Sequence, residues 1–159
     1  MNQNNVPLND NTDYGLCFAC GPRNSSGLQL KFTKHDNKVK TTYSAQPENQ
    51  GFPGYIHGGI IYTVLDEVMS RVSVLENRWT VTAKLEVRYL KPIPINTEIT
   101  AYGKKKSSKH GLWETEGWIE LKNGIVAAKA TGLFAKIENS DLLSMSRDYP
   151  ILSEKWIKS

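Results

Sequence analysis

The stretch GYIHGGIIYTVLDEVMSRVSVL, Gly54 to Leu75, decides how the rest of the chain is arranged. Plotted at about 100° per residue, Ile60, Ile61, Val64, Leu65, Val68, Met69, Val72 and Leu75 fill roughly half of a helical wheel. That arc is wider than the apolar stripe of a surface helix, so the spacing predicts one long, mostly buried helix reaching Leu75. Thr63, Asp66, Glu67, Ser70, Arg71 and Ser73 share the remaining arc. A carboxylate there faces an enclosed surface rather than open water. Gly58 and Gly59 open the first turn, where N–H groups lack intrahelical partners and carry the positive end of the helix dipole. The stretch therefore joins an oxyanion-binding helix start to an acid two turns later.

Outward from the helix, the chain reads as strands. From Trp79 to Leu90, Val81, Ala83, Leu85, Val87 and Tyr89 alternate with Thr82, Lys84, Glu86 and Arg88, the pattern of a half-buried antiparallel strand with the first set inward. Lys91-Pro-Ile-Pro94 ends it. Further strands are expected at about Glu98 to Lys105, Trp113 to Leu121 and Ile125 to Glu138, the last two joined by the turn signal Asn123-Gly124. Val126, Ala128, Ala130, Gly132 and Phe134 share one face, small enough for a helix to lie close. Before the helix, Leu28, Leu30 and Phe32 mark one strand and Val39 to Tyr43 a second, turned by His35-Asp-Asn-Lys38; Ala45 to Tyr55 is a Pro- and Gly-rich loop. Two strands, one helix and four strands predict a two-layer α+β domain whose single sheet curls around the helix. Residues 1–14 read as a flexible N-terminus, 15–138 as the domain, and 139–159 as an extension with a short helix.

Composition narrows the function. The 159 residues contain 39% hydrophobic and 23% charged side chains, as in a soluble single domain. The start has neither the basic nor the apolar region of a secretory signal, and no apolar run reaches membrane-spanning length, so a cytoplasmic protein with no membrane partner is expected. A net charge of +4 is too mild to argue for nucleic acid, and no nucleic-acid motif is present; it suits a phosphorylated small molecule. Cys17-x-x-Cys20-Gly21 offers two ligands where a tetrahedral metal site wants four, with only His35 or a second copy to complete it. A thioredoxin-type redox role wants a βαβ setting that the pattern lacks. The plain reading is a packed loop with reduced thiols.

The chain resembles the hotdog-fold acyl-CoA thioesterases of the PaaI-like group. The matching residues are Cys17-Phe-Ala-Cys-Gly21 with Asn24 and Gly27-Leu28, Gly54-Tyr-Ile-His-Gly-Gly59, Leu65-Asp-Glu-Val-Met69 and Thr82-Ala-Lys-Leu-Glu-Val-Arg-Tyr-Leu-Lys-Pro92. The match covers about residues 15–138. It implies a sheet of five to six strands wrapped around the helix, and a homodimer, or a tetramer of paired dimers, with active sites at the dimer interface. It implies an acyl-CoA substrate, no metal and no separate cofactor. Asp66 falls on the family's general base or nucleophile, and Gly58, with Gly59, on its backbone oxyanion contact. His57 is read as positioning the loop. Thr82 falls where some relatives place a serine that orients water.

Glu67 is the second-choice acid, although Arg71 four residues on explains it as an i,i+4 ion pair. One departure stands out. Several relatives carry Asn or Gln six residues before the histidine, where this chain has Gly51, so Asn49 or Gln50 is expected to make the missing contact. Lys104, Lys105, Lys106 and Lys109, with Lys84, Arg88 and Lys91, can hold the CoA phosphates; as a solvated strand face they need no ligand. Tyr55, Tyr62, Trp79, Trp113 and Trp118 either line an acyl tunnel or fill the core. The sequence thus points to a thioesterase, with a non-catalytic acyl-CoA sensor as the alternative and a hydratase on the same fold as a weaker third reading.

Overall fold

The computed structural model describes residues 6–8 and 15–138; the expected C-terminal helix lies outside them. The helix, α1, spans Gly58–Ser70. Val64, Leu65, Val68 and Met69 on it are fully buried, each such side chain contributing about 1.5–3 kcal/mol of transfer free energy. It is shorter than the periodicity predicts. After Arg71 the chain tightens into a 3-10 turn, Ser73–Glu76. Ser73 accounts for the break. Its Oγ lies 2.9 Å from the Ser70 carbonyl, which a continuing helix would pair with the Val74 N–H, and that N–H goes instead to the Arg71 carbonyl.

The strands are β1 (Val6–Pro7), β2 (Phe32–His35), β3 (Lys38–Ser44), β4 (Thr80–Tyr89), β5 (Glu98–Lys109), β6 (Leu112–Leu121) and β7 (Val126–Lys136). All pair antiparallel in one sheet, in the order β1-β2-β3-β5-β6-β7-β4. This is the hotdog fold expected from the sequence, one sheet around one helix. Two edges differ from expectation. Val6 and Pro7, within the N-terminus read as flexible, pair with Lys34 and Thr33. Leu28 and Leu30 are buried but precede β2, which instead continues to His35. There the chain turns through two residues, with Asp36 at φ 54°.

Strand β4 follows the helix in sequence yet lies at the far edge, bonded only to β7. Its alternation is not continuous. A bulge between Thr82 and Lys84 shifts the register by one residue, and a one-residue shift exchanges the two faces of a strand. Thr80 and Thr82 therefore face the helix before the bulge, and Leu85, Val87 and Tyr89 after it. The single in–out pattern read from the sequence, with Thr82 outward and Val81 inward, fails at this point: Val81 is 49% exposed.

The expected close approach of helix to sheet is present, and it is tightest at glycines of β5 and β6. A Cβ built on Gly103 would lie 2.4 Å from the Val68 carbonyl oxygen, and one on Gly117 2.6 Å from the Met69 sulfur. The obstacle at Gly103 is helix backbone, which cannot swing aside as a side chain can. Among the described residues no helix is long and apolar enough to cross a membrane. The packing predicts that Gly103→Ala destabilises the protein by about 1–3 kcal/mol by overpacking, as read by urea denaturation at fixed protein concentration; unchanged stability would show that the helix does not rest on Gly103.

Candidate active site

Asp66 projects from the middle of α1, half-buried, toward β4. The bulge turns Thr82 to meet it, and Thr82 Oγ1 donates to Asp66 Oδ1 at 2.7 Å. Burial pushes the Asp66 carboxyl above its ordinary value, the Thr82 hydrogen bond pulls it part of the way back, and the charge of Glu67 adds to the rise. A hydrogen-bonded carboxylate that is poorly solvated is a better base and nucleophile than one in water. Asp66 and Thr82 line a cavity of about 260 Å³ shared with Glu67, Ser70, Arg71 and Trp79.

The helix start is built by His57. Its Nδ1 accepts the Gly59 N–H at 2.9 Å, which makes it the N-cap residue, so the ring carries its proton on Nε2. Its own N–H donates to the Asn49 carbonyl, and its carbonyl accepts the N–H groups of Ile60 and Ile61. These bonds separate the two glycines. The Gly59 N–H is consumed by the cap, while the Gly58 N–H has no hydrogen-bond partner among the described residues. Gly58 lines a larger cleft, about 770 Å³, with Phe52, Tyr55, His57, Tyr89 and Lys91. The geometry therefore leaves the N–H of Gly58, and not that of Gly59, open to the cleft, and ties His57 to the loop and the helix start.

Other candidate residues are placed less simply. Glu67 makes the expected ion pair with Arg71, at 2.5 Å, and Arg71 is only 3% exposed. Asn49 Oδ1 accepts from the Tyr43 hydroxyl and the Gln46 N–H, and Gln50 Oε1 from the Gly54 N–H. Both amide oxygens thus hold the loop, and the cleft wall is Gly51, whose Cβ, if added, would lie 3.1 Å from the His57 ring. Arg88 lies on the opposite face of the sheet, in a depression with Glu86, Trp118 and Lys129. Lys104, Lys105 and Lys106 pair with Glu116, Glu76 and Glu114, and Lys84 with Glu86. The structure thus does not bring Arg88 or Lys104 to Asp66; the cation at the cleft is Lys91.

Of the aromatics, Tyr55 lines the large cleft and Trp79 the small cavity, Trp113 is core, and Trp118 stacks on Tyr102 on the outer face. Tyr89 joins the site as well: its hydroxyl donates to the Gly58 carbonyl at 3.0 Å, and in the sequence only its place on the inward face signals it.

The profile of the thioesterase superfamily matches residues 53–120. Mouse acyl-coenzyme A thioesterase THEM4 is 26% identical over 117 residues, covering 70% of this chain and 50% of that one. The chain thus spans about half the length of the curated relatives it matches. A crystal structure of a thioesterase superfamily protein superposes with a TM-score of 0.71 at 29% identity, covering 76% of this chain and 60% of the other. Two more distant structures share the fold. The PaaI protein of the Escherichia coli phenylacetic acid degradation operon has a TM-score of 0.65 at 13% identity, covering 70% and 81%. A hypothetical thioesterase from Streptococcus pneumoniae, solved with coenzyme A, has a TM-score of 0.61 at 22% identity, covering 64% and 82%. The chain thus matches the thioesterase superfamily over residues 53–120 and shares the hotdog fold of these structures.

The environment of Asp66 has a stability consequence. Because the folded carboxyl is raised, folding favours its protonated form, and this contribution is lost as pH rises through the folded value. Asp66→Asn removes the titration and keeps an acceptor for Thr82. The variant is expected to be more stable than wild type at pH 7, with the difference vanishing as pH falls below about 4, where the unfolded aspartate is also neutral. Denaturation midpoints of both proteins across this range check the sign.

Proposed function

We propose that this protein hydrolyses an acyl-CoA thioester to the free acid and CoA. The observation that carries the reading is the half-buried, threonine-bound carboxylate of Asp66, on a helix whose start presents the unengaged N–H of Gly58. In the proposed reaction Asp66 activates water, or itself attacks the thioester carbonyl. The developing oxyanion is met by the Gly58 N–H and the positive end of the helix dipole. A thiolate leaves, and a thiol pKa of about 8.5 lets it depart with little help from an acid. Asp66 supplies the base, so the proposed reaction is metal-independent. The pneumococcal relative supports the placement: it has been solved with an aspartate and with a threonine changed to alanine, and those two residues are sixteen positions apart, as Asp66 and Thr82 are.

One chain does not complete this site. Gly58 and Asp66 are eight residues apart on one helix, about 12 Å along its axis, whereas the N–H must lie about 3 Å from the carbonyl oxygen and the acid must reach the same carbonyl directly or through one water. A homodimer resolves this by drawing Gly58 and Asp66 of a site from different chains. The edge strand β4 is the proposed seam: ten residues with one unpaired side, and exposed Val81, Tyr89 and Leu90 around it. A tetramer built from two such dimers is compatible with the same seam, and a cytoplasmic setting is proposed from the reduced cysteines.

The departure at Gly51, with Asn49 and Gln50 turned to the loop, favours the second reading, a non-catalytic acyl-CoA binder. Thiol release from a panel of acyl-CoAs separates the two. Hydrolysis predicts turnover by wild type and a loss of at least about a hundredfold in Asp66→Asn; tight binding with no release selects the binder. Gly58→Pro removes the N–H at a helix position that tolerates proline, after a His57 already extended at ψ 137°. It should fold and lose about 10²–10³ in kcat. Mixing the two inactive variants should restore about a quarter of wild-type activity by statistical pairing if sites are shared across a dimer, and none if each chain carries a whole site.

A further inference from the structure

The Cys17–Cys20 loop is left unused by the proposed hydrolysis, yet it is tied to the same helix. Its backbone is a tight knuckle: the Gly21 N–H donates to the Cys17 carbonyl at 2.9 Å, and a Cβ on Gly21 would lie 2.5 Å from the Cys17 nitrogen. Cys17 and Cys20 are both free, with sulfurs 3.5 Å apart. The Cys20 thiol lies between two acceptors, the Cys17 sulfur and Glu67 Oε1 at 3.3 Å. Arg71 Nη2 donates to the Cys20 sulfur at 3.0 Å and to Glu67 Oε1.

The two sulfurs are made unequal by this arrangement. The hydrogen bond from Cys20, joined by backbone N–H groups of Cys20 and Ala19, holds the Cys17 thiol at about 6 against burial and the Glu67 charge, which raise it. Cys20 is pushed far above the ordinary thiol range by its bond to Cys17, by burial and by Glu67, with Arg71 opposing. A partly exposed thiolate beside a more enclosed, protonated partner is the arrangement that thiol–disulfide exchange requires.

We propose that Cys17 and Cys20 form a thiol–disulfide exchange site for low-molecular-weight disulfides, with Cys17 attacking, Cys20 resolving and Glu67 taking the Cys20 proton. The Cys17 thiolate attacks one sulfur of RSSR, forming Cys17–S–SR and releasing RS⁻. Cys20 gives its proton to Glu67 and attacks the Cys17 sulfur, releasing the second RS⁻. The two cysteines are oxidised to one disulfide, RSSR is reduced to two thiolates, and the proton passes from Glu67 to solvent. The ligand atoms of Cys17, Cys20 and Glu67 also lie within 4.8 Å of one another, as a metal would need. Arg71 already binds two of those three, so a dication would enter against a buried cation, and exchange fits the cluster better.

The chain has only these two cysteines, which makes the test clean. The 159-residue chain is equilibrated with glutathione and its disulfide at varied ratios, quenched by alkylation and weighed intact. Wild type should pass from two alkylated thiols to none as the disulfide fraction rises, with the mass of one internal disulfide. Cys20→Ser should hold a mixed disulfide with glutathione at Cys17, and in wild type the rate of Cys17 alkylation should rise between about pH 5 and 7 and then level, where an ordinary thiol rises to about pH 9. The proposal is overturned by two alkylatable thiols at every ratio in folded wild type, by a disulfide between chains, or by protection that a chelator removes. None of these readouts depends on thioester hydrolysis.

Discussion

The contact on which this structure depends is backbone against backbone, where the carbonyl of Val68 lies over Gly103. A helix normally stands off a sheet by the depth of the side chains between them. Here two glycines, on neighbouring strands and paired in register, remove that depth under the second half of α1. The sheet closes around the helix, Val64, Leu65, Val68 and Met69 lose all contact with water, and the helix is fixed in height and rotation. The direction in which Asp66 points follows from that fixed rotation, because its neighbour Leu65 is locked into the core.

With the helix immobile, the chemistry is placed by what meets it. At its start, a histidine cap takes one amide and leaves the amide before it unengaged. At its centre, the bulge in β4 brings a threonine hydroxyl to a carboxylate that burial has made reluctant to ionise. Farther along, Glu67 and Arg71 neutralise each other and anchor the cysteine loop, with Arg71 lying over the rings of Phe32 and Trp79. Three short-range devices on one helix thus make three chemically distinct places about a turn or two apart.

Much of this was legible in the sequence. The helix, the order of elements and the alternation of β6 and β7 follow from apolar spacing, because buried strands and a buried helix leave strong periodic signals. Asp66 was legible as the acid on an apolar helix, and Glu67 with Arg71 from their spacing. The rest lacked a local signal. The early end of α1 comes from the Ser73 hydroxyl competing for a carbonyl, which a hydrophobic wheel does not weigh. The division of labour between Gly58 and Gly59 depends on the ring orientation of His57. Arg88 and Lys104 were attractive as charges, but their face of the sheet is set by strand parity and tertiary pairing. Thr82 is legible for its chemistry, but plain alternation puts it on the wrong face, because a bulge leaves no mark in composition.

That bulge also separates the strand into two independently variable parts. A strand offers only two faces, so without an extra residue Thr82 and Tyr89 would have to lie on opposite ones. With it, both look toward the helix: one end of β4 serves the carboxylate, the other, through Tyr89 and the Gly58 carbonyl, the helix start. Substitutions beyond Lys84 can then reshape the wall of the large cleft while leaving the partner of Asp66 in place. Loss of one residue there would instead turn every downstream side chain over. Length at this point is therefore under stricter constraint than identity, and change in the shape of the cleft has a route that change in chain length does not.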